Sequence, residues 1–482
     1  MKAALRAIAL LAAALSSVSA EPIHLSPKNP HYFFFRGKTI ALITSGEHYG
    51  AVINADFNYH RYLEALAAAG MNYTRLFGGS YREVAGQSFG IRRNTLAPVK
   101  GRYIAPWAQA GDGRFDLERW NPEYFRRYHE FLSEAAERGI VVEVSLFTSY
   151  YQDAQWAISP LNAANNVNGT SAIDWKKLHT LENGNILRYQ ERYVRKLVGE
   201  ANGFDNVIFE IQNEPWSDRP RKVDMINLRP PTPSRDHYPN SVDIADALSL
   251  AWQTRVAGWI QSEEQSLPHR HLIAQNYCNF LARVKELVPG VNIVNFHYAF
   301  PEAVAWNYGL GKAISYDESG FLGNDDAVYR RQAWNFMLSG GGAFDGLDYS
   351  FTPGHEDGGD TEPNGPGGGS PALRRQLDVL RAFLDSLPLE NIAPDNKVVE
   401  HAAGVTARVL SCPGRVYAMY LDGSGPTEVA VDLPAGSYTA VWMDVLTGRA
   451  EKVKSFDHAG GRKMLQSPEF RDGIALRLTQ SK

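Results

Sequence analysis

Two stretches decide the fold: Val207-Ile-Phe-Glu-Ile-Gln-Asn-Glu-Pro215 and Ala313-Ile-Ser-Tyr-Asp-Glu-Ser-Gly320. Each is a short apolar run with the length and β-branched content of a buried strand, and each ends in a glutamate followed at once by a turn residue. Runs of this kind, read as strands, recur at 39–44, 72–77, 140–147, 207–212, 272–276, 291–296, 313–317 and 343–348. Between them lie amphipathic helical patterns at 59–69, 122–138, 185–201, 242–265 and 327–339. Strand and helix in alternation imply a parallel sheet with helices outside, and eight such units predict an α/β fold, a (β/α)8 TIM barrel.

The extra length follows strands instead of preceding them, at 150–182, 215–241 and 350–370. In a barrel these loops gather on the face where active sites are built. The last is rich in glycine and reads as flexible, with no strand or helix of its own. A helix at 372–386 is expected to close the barrel. After Pro388 the pattern changes to short alternating runs at 405–410, 416–420, 428–431, 438–444 and 474–478, a small C-terminal antiparallel β-sandwich. The expected domains are therefore 21–390 and 391–482. Residues 1–20 read as a signal peptide, with Lys2 and Arg6, an apolar run at 7–15 and small residues before Glu21. A secreted or periplasmic protein is expected. The formal charge of −4 shows no basic excess, which argues against nucleic acid and membrane as partners. Ten Trp and 23 Tyr, many of them in loops, suit a ligand with C–H faces such as a sugar. Cys278 and Cys412 fall in different domains, and no bridge between them is expected.

Glu214 and Glu318 each stand at the C-terminal tip of a strand, three strand–helix units apart, so both carboxyls can converge over the barrel mouth. Glycosidic bond cleavage needs such a pair: one carboxylic acid protonates the leaving oxygen and a second carboxylate attacks the anomeric carbon. At this point the sequence resembles the clan-A glycoside hydrolases, the group that includes family-5 cellulases and mannanases, over the whole barrel. The resemblance implies that Glu214 is the acid/base, Glu318 the nucleophile and Asn213 a ligand of the neighbouring sugar hydroxyl. It also implies that Arg75, in Asn72-Tyr-Thr-Arg-Leu-Phe77, contacts the nucleophile and lowers its pKa. An ion pair with Glu210 is the plainer role for Arg75. Asn295-Phe-His-Tyr298 resembles the clan's sixth strand. Its His297 and Tyr298 are adjacent instead of one residue apart, so one of them, His297 first, is expected to face the site. Trp216 is a candidate for stacking on the leaving sugar, and Glu47-His48-Tyr49, at the end of strand 1, for binding hydroxyls. Trp306, Tyr277, Trp107 and Trp156 are looser aromatic candidates. Strand 8 ends in Asp348-Tyr349, without the tryptophan common in family 5.

No cofactor and no metal are expected. A metal-dependent barrel hydrolase would carry His-x-His at the end of strand 1. The one such pair, His269 and His271, precedes strand 5, where exposed polar residues are the simpler reading. The acidic cluster His355-Glu-Asp357, Asp360 and Glu362 has no regular ligand spacing and reads as a solvated loop. A carbohydrate is the expected partner, and the alternative to an enzyme is a catalytically inactive carbohydrate-binding barrel.

Overall fold

The computed structural model describes residues 21–224, 241–362 and 364–481; the expected signal peptide and part of the loop after the fourth strand lie outside them. Eight parallel strands form the barrel. They are β1 (Leu42–Gly46), β2 (Tyr73–Phe77), β3 (Val141–Thr148), β4 (Val207–Asn213), β5 (Leu272–Asn279), β6 (Ile293–His297), β7 (Ala313–Ser319) and β8 (Ala343–Leu347). They are hydrogen-bonded in the order β1-β8-β7-β6-β5-β4-β3-β2. Asn72 closes the ring between β1 and β2: its Oδ1 accepts from Ile43 N at 2.8 Å and its Nδ2 donates to Ala41 O at 2.9 Å. A side-chain amide there supplies the donor and acceptor of a missing peptide unit.

Alternation along the strands sorts the barrel by layer. Ile43, Val142, Val144, Phe209, Val294, Ile314 and Phe344 face the helices and form the large core. Inside, a lower layer of Leu42, Tyr73, Val141, Ile208, Leu272, Ile293 and Ala313 packs on Phe33 and Phe35. Those two phenylalanines belong to a small antiparallel sheet of His24–Leu25, Phe33–Phe35 and Lys38–Ile40, which plugs the barrel's lower end. Above the apolar layer the interior turns polar, with Arg75, Glu143, Glu210, Asn276, Asn295, Asp317 and Asp345 all buried. The functional face is thus carried on a polar floor.

Seven of the eight units have a helix after the strand; between β5 and β6 the chain runs at 280–292 without one. There Val288 N donates to Gln275 Oε1 and Lys285 N to Tyr277 Oη, so side chains of β5 satisfy the backbone instead. The helix expected from residue 242 begins at Ala247. Ser241–Ala245 is a strand, paired with Pro220–Asp224 and touching β5 through Ile244 and Cys278. Among its described residues the Gly-rich stretch after β8 holds no strand or helix, as expected, but it is pinned. Arg93 pairs with Asp360 at 2.7 Å and with Glu362 at 2.7 Å, and Arg92 N and Arg93 N donate to Asn364. Glu356 accepts from Asn58 N, and Asp357 pairs with Arg61. The acidic cluster read as solvated is engaged carboxylate by carboxylate. His271, read as exposed, is buried with Nδ1 2.6 Å from Glu264.

The C-terminal sandwich sets six strands against three. The five expected strands are present, and Ala393–Pro394, Val399–Ala402, Ala450–His458 and Gly461–Gln466 join them. The last two carry mostly exposed polar residues, so they lack the apolar alternation by which strands are read. Alternate residues of the larger sheet face different cores. Val409, Met419, Leu421 and Leu476 point into the sandwich, whereas Leu410, Ala418, Tyr420 and Ala475 join the barrel's core. Tyr420 stacks on Trp334 of the helix after β7 at 5.3 Å, and Arg331 pairs with Asp422 at 2.6 Å. Cys278 and Cys412 are both buried free thiols.

Candidate active site

The loops after the strands surround a cavity of about 1080 Å³. Glu214 and Glu318 open into it, as do Asn213 and Tyr298. Of eight non-glycine residues with positive φ among the described residues, six line this cavity: Tyr49, Phe89, Glu214, Phe280, Tyr298 and Phe321. Left-handed backbone at such residues costs on the order of 1 kcal/mol each and persists where the surroundings fix it. At Glu214 the fixing is explicit: its N–H donates to Asn276 Oδ1 at 3.0 Å and its carbonyl accepts from Ser149 Oγ at 2.7 Å.

The carboxylates face each other across His297. Its Nδ1 lies 3.0 Å from Glu214 Oε1 and 3.6 Å from Glu318 Oε1, and its Nε2 lies 3.5 Å from Asp317. One oxygen from each glutamate and the imidazole nitrogen all fall within 4.8 Å of one another. Tyr151 donates to Glu214 Oε2 at 2.7 Å, and Tyr298 donates to Glu318 Oε1 at 2.7 Å. Both His297 and Tyr298 therefore enter the site. The strand leaves the extended conformation at Tyr298 (φ 50°), and its register with β7 shifts between Phe296 and His297. That turn defeats the rule that neighbours on a strand point apart.

Arg75 is fully buried and joins both of its expected roles. It reaches Glu210 at 2.6 Å, Asp317 at 3.4 Å and Glu318 at 3.6 Å, and it donates to Asn213 Oδ1 at 3.0 Å. Asn213 in turn donates to Tyr151 Oη at 3.2 Å. The one guanidinium serves several acids, and at Glu143 its charge only partly offsets burial. Burial, then the charge of Glu210, pushes the Glu143 carboxyl up to about 8. Asp345 is raised well above the usual range, burial being the largest cause.

The expected polarity of the catalytic pair is reversed. Burial drives both carboxyls upward. At Glu214 this is outweighed by the bond and charge of His297, so Glu214 ends below the usual range. At Glu318, burial and the charge of Glu214 win over His297 and Arg75, and its pKa is raised. Burial opposes charge on His297 too, but Glu318 and Asp317 hold its pKa well above the ordinary imidazole value. Arg75 touches Glu318 and pulls its pKa down as expected, but burial and the charge of Glu214 outweigh that pull.

Two expected ligands lie elsewhere. Glu47 is buried and accepts from Gly50 N, Ala51 N and Thr95 Oγ1, so it ties the turn after β1 to the loop after β2. Trp216 is also buried and packs perpendicular to His297 at 5.3 Å, behind the wall of the cavity. Trp107 and Trp156 are buried in packing contacts with Tyr193 and Tyr150, Tyr277 supports the loop after β5, and Trp306 carries Arg283 over its ring. His48 and Tyr49, read with Glu47 as hydroxyl ligands, do line the cavity, and the lining that sequence reasoning passed over includes Glu83, Phe89, Tyr151, Phe280 and Phe321. Tyr151 had a readable signal in Tyr150-Tyr151, directly after β3; Phe89 and Phe321 sit in loops whose course no local pattern gives.

No family model and no curated protein matches the sequence. Solved structures do match. One described as a glycoside hydrolase aligns at 13% identity over 96% of this chain and 97% of its own, with a TM-score of 0.63. A family-5 glycoside hydrolase from Bacteroides vulgatus aligns at 12% identity over 95% and 93%, with a TM-score of 0.64. A putative glycoside hydrolase from the same organism aligns at 13% over 96% and 83%, at 0.62. The chain has the fold of these glycoside hydrolases, barrel and appended sandwich together.

Proposed function

We propose that the protein is a retaining glycoside hydrolase acting on β-linked oligosaccharides or polysaccharides. The observation that carries this reading is the convergence of Glu214 and Glu318, whose nearer oxygens lie within 4.8 Å at the floor of a large cleft. Carboxyl groups about 5–5.5 Å apart leave no room for an attacking water between acid and base, so the second carboxylate must itself attack. The glycoside hydrolase structures that share the fold support the same class of substrate.

Glu318, steadied by Tyr298 and Arg75, attacks the anomeric carbon, while Glu214 gives its proton to the leaving oxygen. With His297 raised and Glu214 lowered, that proton rests on His297 Nδ1, 3.0 Å from Glu214 Oε1, before the substrate is attacked. Its transfer leaves a neutral imidazole, a protonated Glu214 and an ionised Glu318, with no proton gained or lost. Water then takes the place of the leaving group, Glu214 accepts its proton, and the glycosyl–Glu318 ester is hydrolysed with net retention. Cleavage at Ala20 during export fits the same reading, and mass analysis of the mature protein should find Glu21 at its start.

NMR of products released from β-glycans tests the mechanism: the first anomer formed should be β, and an α product would overturn it. Glu318→Gly should lose turnover and regain it with azide or formate, because a small anion fills the carboxylate's place. Rescue confined to Glu214→Gly would exchange the two roles. Equal inertness of wild type and Glu214→Gln across a panel of glycosides would favour a carbohydrate-binding protein.

A further inference from the structure

A second, smaller cavity of about 270 Å³ lies on the other side of the wall after β2. Its polar lining includes Arg82, Lys100, Arg114, Gln109 and Asn165, and among the described residues no carboxylate lines it. Arg82 and Glu83 are chain neighbours facing opposite ways. Glu83 lines the catalytic cleft, held by Tyr81 and Asn94, and Arg82 lines the small pocket.

Arg82 is a cation without a counterion. Its guanidinium lies over the Tyr103 ring at 4.4 Å, Nη2 donates to Ile158 O at 3.4 Å, and its buried Nε has no partner. Among the described residues neither Arg82 nor Lys100 pairs with an acid, whereas Arg114 is held by Asp112 at 2.7 Å and by Asn166 O. Tyr103 is fixed beneath Arg82 by donating to Gly79 O at 2.7 Å, and Asn165 Nδ2 is spent on Ala157 O and Ser159 O. What faces the pocket is planar, stacked, donor-rich positive charge in a protein of net charge −4. Stacking on a ring pre-orients a guanidinium for bidentate binding of an oxyanion, at little further cost in side-chain freedom.

We infer that this pocket is an oxyanion site that takes the carboxylate or sulfate group of an acidic glycan. The oxyanion site stands on its own geometry; only the assignment to a glycan rests on the proposed function. Placed one residue from Glu83, it would hold a charged branch or a neighbouring chain of the substrate beside the cleft, outside the cleavage position.

Calorimetric titration of the full chain with sodium glucuronate and with sodium sulfate, at ionic strength matched with chloride, tests the inference. Saturable binding of either is expected. Arg82→Gln should weaken it roughly tenfold or more, since a charge-assisted bidentate pair is lost. Lys100→Gln, at an exposed position, should weaken it roughly threefold without endangering the fold. Glucuronate binding alone would identify a uronate as the source, and sulfate binding alone a sulfate ester. Absence of saturable binding to the wild type, or binding by both variants as tight as the wild type's, would overturn the inference. Hydrolysis of a neutral aryl glycoside by the same three proteins reads out the proposed function separately, and both variants should retain it.

Discussion

At the scale of single residues, the proposed chemistry turns on one proton shared among Glu214, His297 and Glu318. Activity should rise with pH as Glu318 ionises, and burial places that limb above the ordinary 4.5. It should fall again as the proton shared by Glu214 and His297 is lost; these limbs belong to the coupled set, not to one group. His297→Asn removes a cation from both carboxylates, so the acid limb should move to higher pH. A profile of kcat/KM against pH that stays in place would refute the sharing. Glu214→Gln should lower turnover on substrates with poor leaving groups by about 10²–10⁴-fold and spare activated aryl glycosides more. Glu143 gives a stability counterpart. Its folded pKa of about 8 stands above the reference 4.5, so the folded state binds the extra proton and this group's share of stability is lost as pH rises towards 8. Denaturant titrations of Glu143→Gln between pH 5 and 8 should show a smaller decline than wild type; an identical decline would mean that Glu143 is ionised in the fold.

At the scale of elements, the loop after β8 owes its order to Arg93, which meets the nearly buried Asp360 and the exposed Glu362 at one point. Gly369 beside it has φ 80°, and a Cβ there would meet the Asp348 side chain at 2.1 Å, so close packing as well as charge holds the segment down. Arg93→Ala should cost on the order of 1–3 kcal/mol locally. Limited proteolysis should then cut within 350–370 at a protease level that leaves the wild type intact. This loop shows where sequence reading stops. The barrel strands were legible because buried parallel strands are nearly continuous apolar runs, and Glu214 and Glu318 because strand ends in a barrel share one face. The pinning of the Gly-rich loop was not, because Arg93 and Asp360 lie far apart in the chain. The positions of His297 and Tyr298 required a backbone turn that no residue type there demands. Glu47 was misjudged because a strand-end carboxylate can equally serve backbone amides of its own turn.

At the scale of the molecule, the sandwich shares its apolar surface with the barrel through Leu410, Ala418, Tyr420 and Ala475. Removing everything after residue 390 bares Trp334 and its neighbours, so the truncated chain should aggregate. A soluble, active 21–390 fragment in size-exclusion chromatography would show instead that the sandwich is dispensable. The N-terminal plug ties both ends of the barrel sequence together. Asn29 donates to Leu389 O and Ile392 O, His31 contacts Lys312 O, and Phe33 sits under strands drawn from the whole ring. This arrangement sets an order for folding. Phe33 and Phe35 find their full docking surface only when the last strand, some 300 residues further along the chain, has joined the ring. Contacts that far apart along the chain make closure slow. The ring therefore closes late in folding, and it is locked from below by a segment that lies ahead of its first strand.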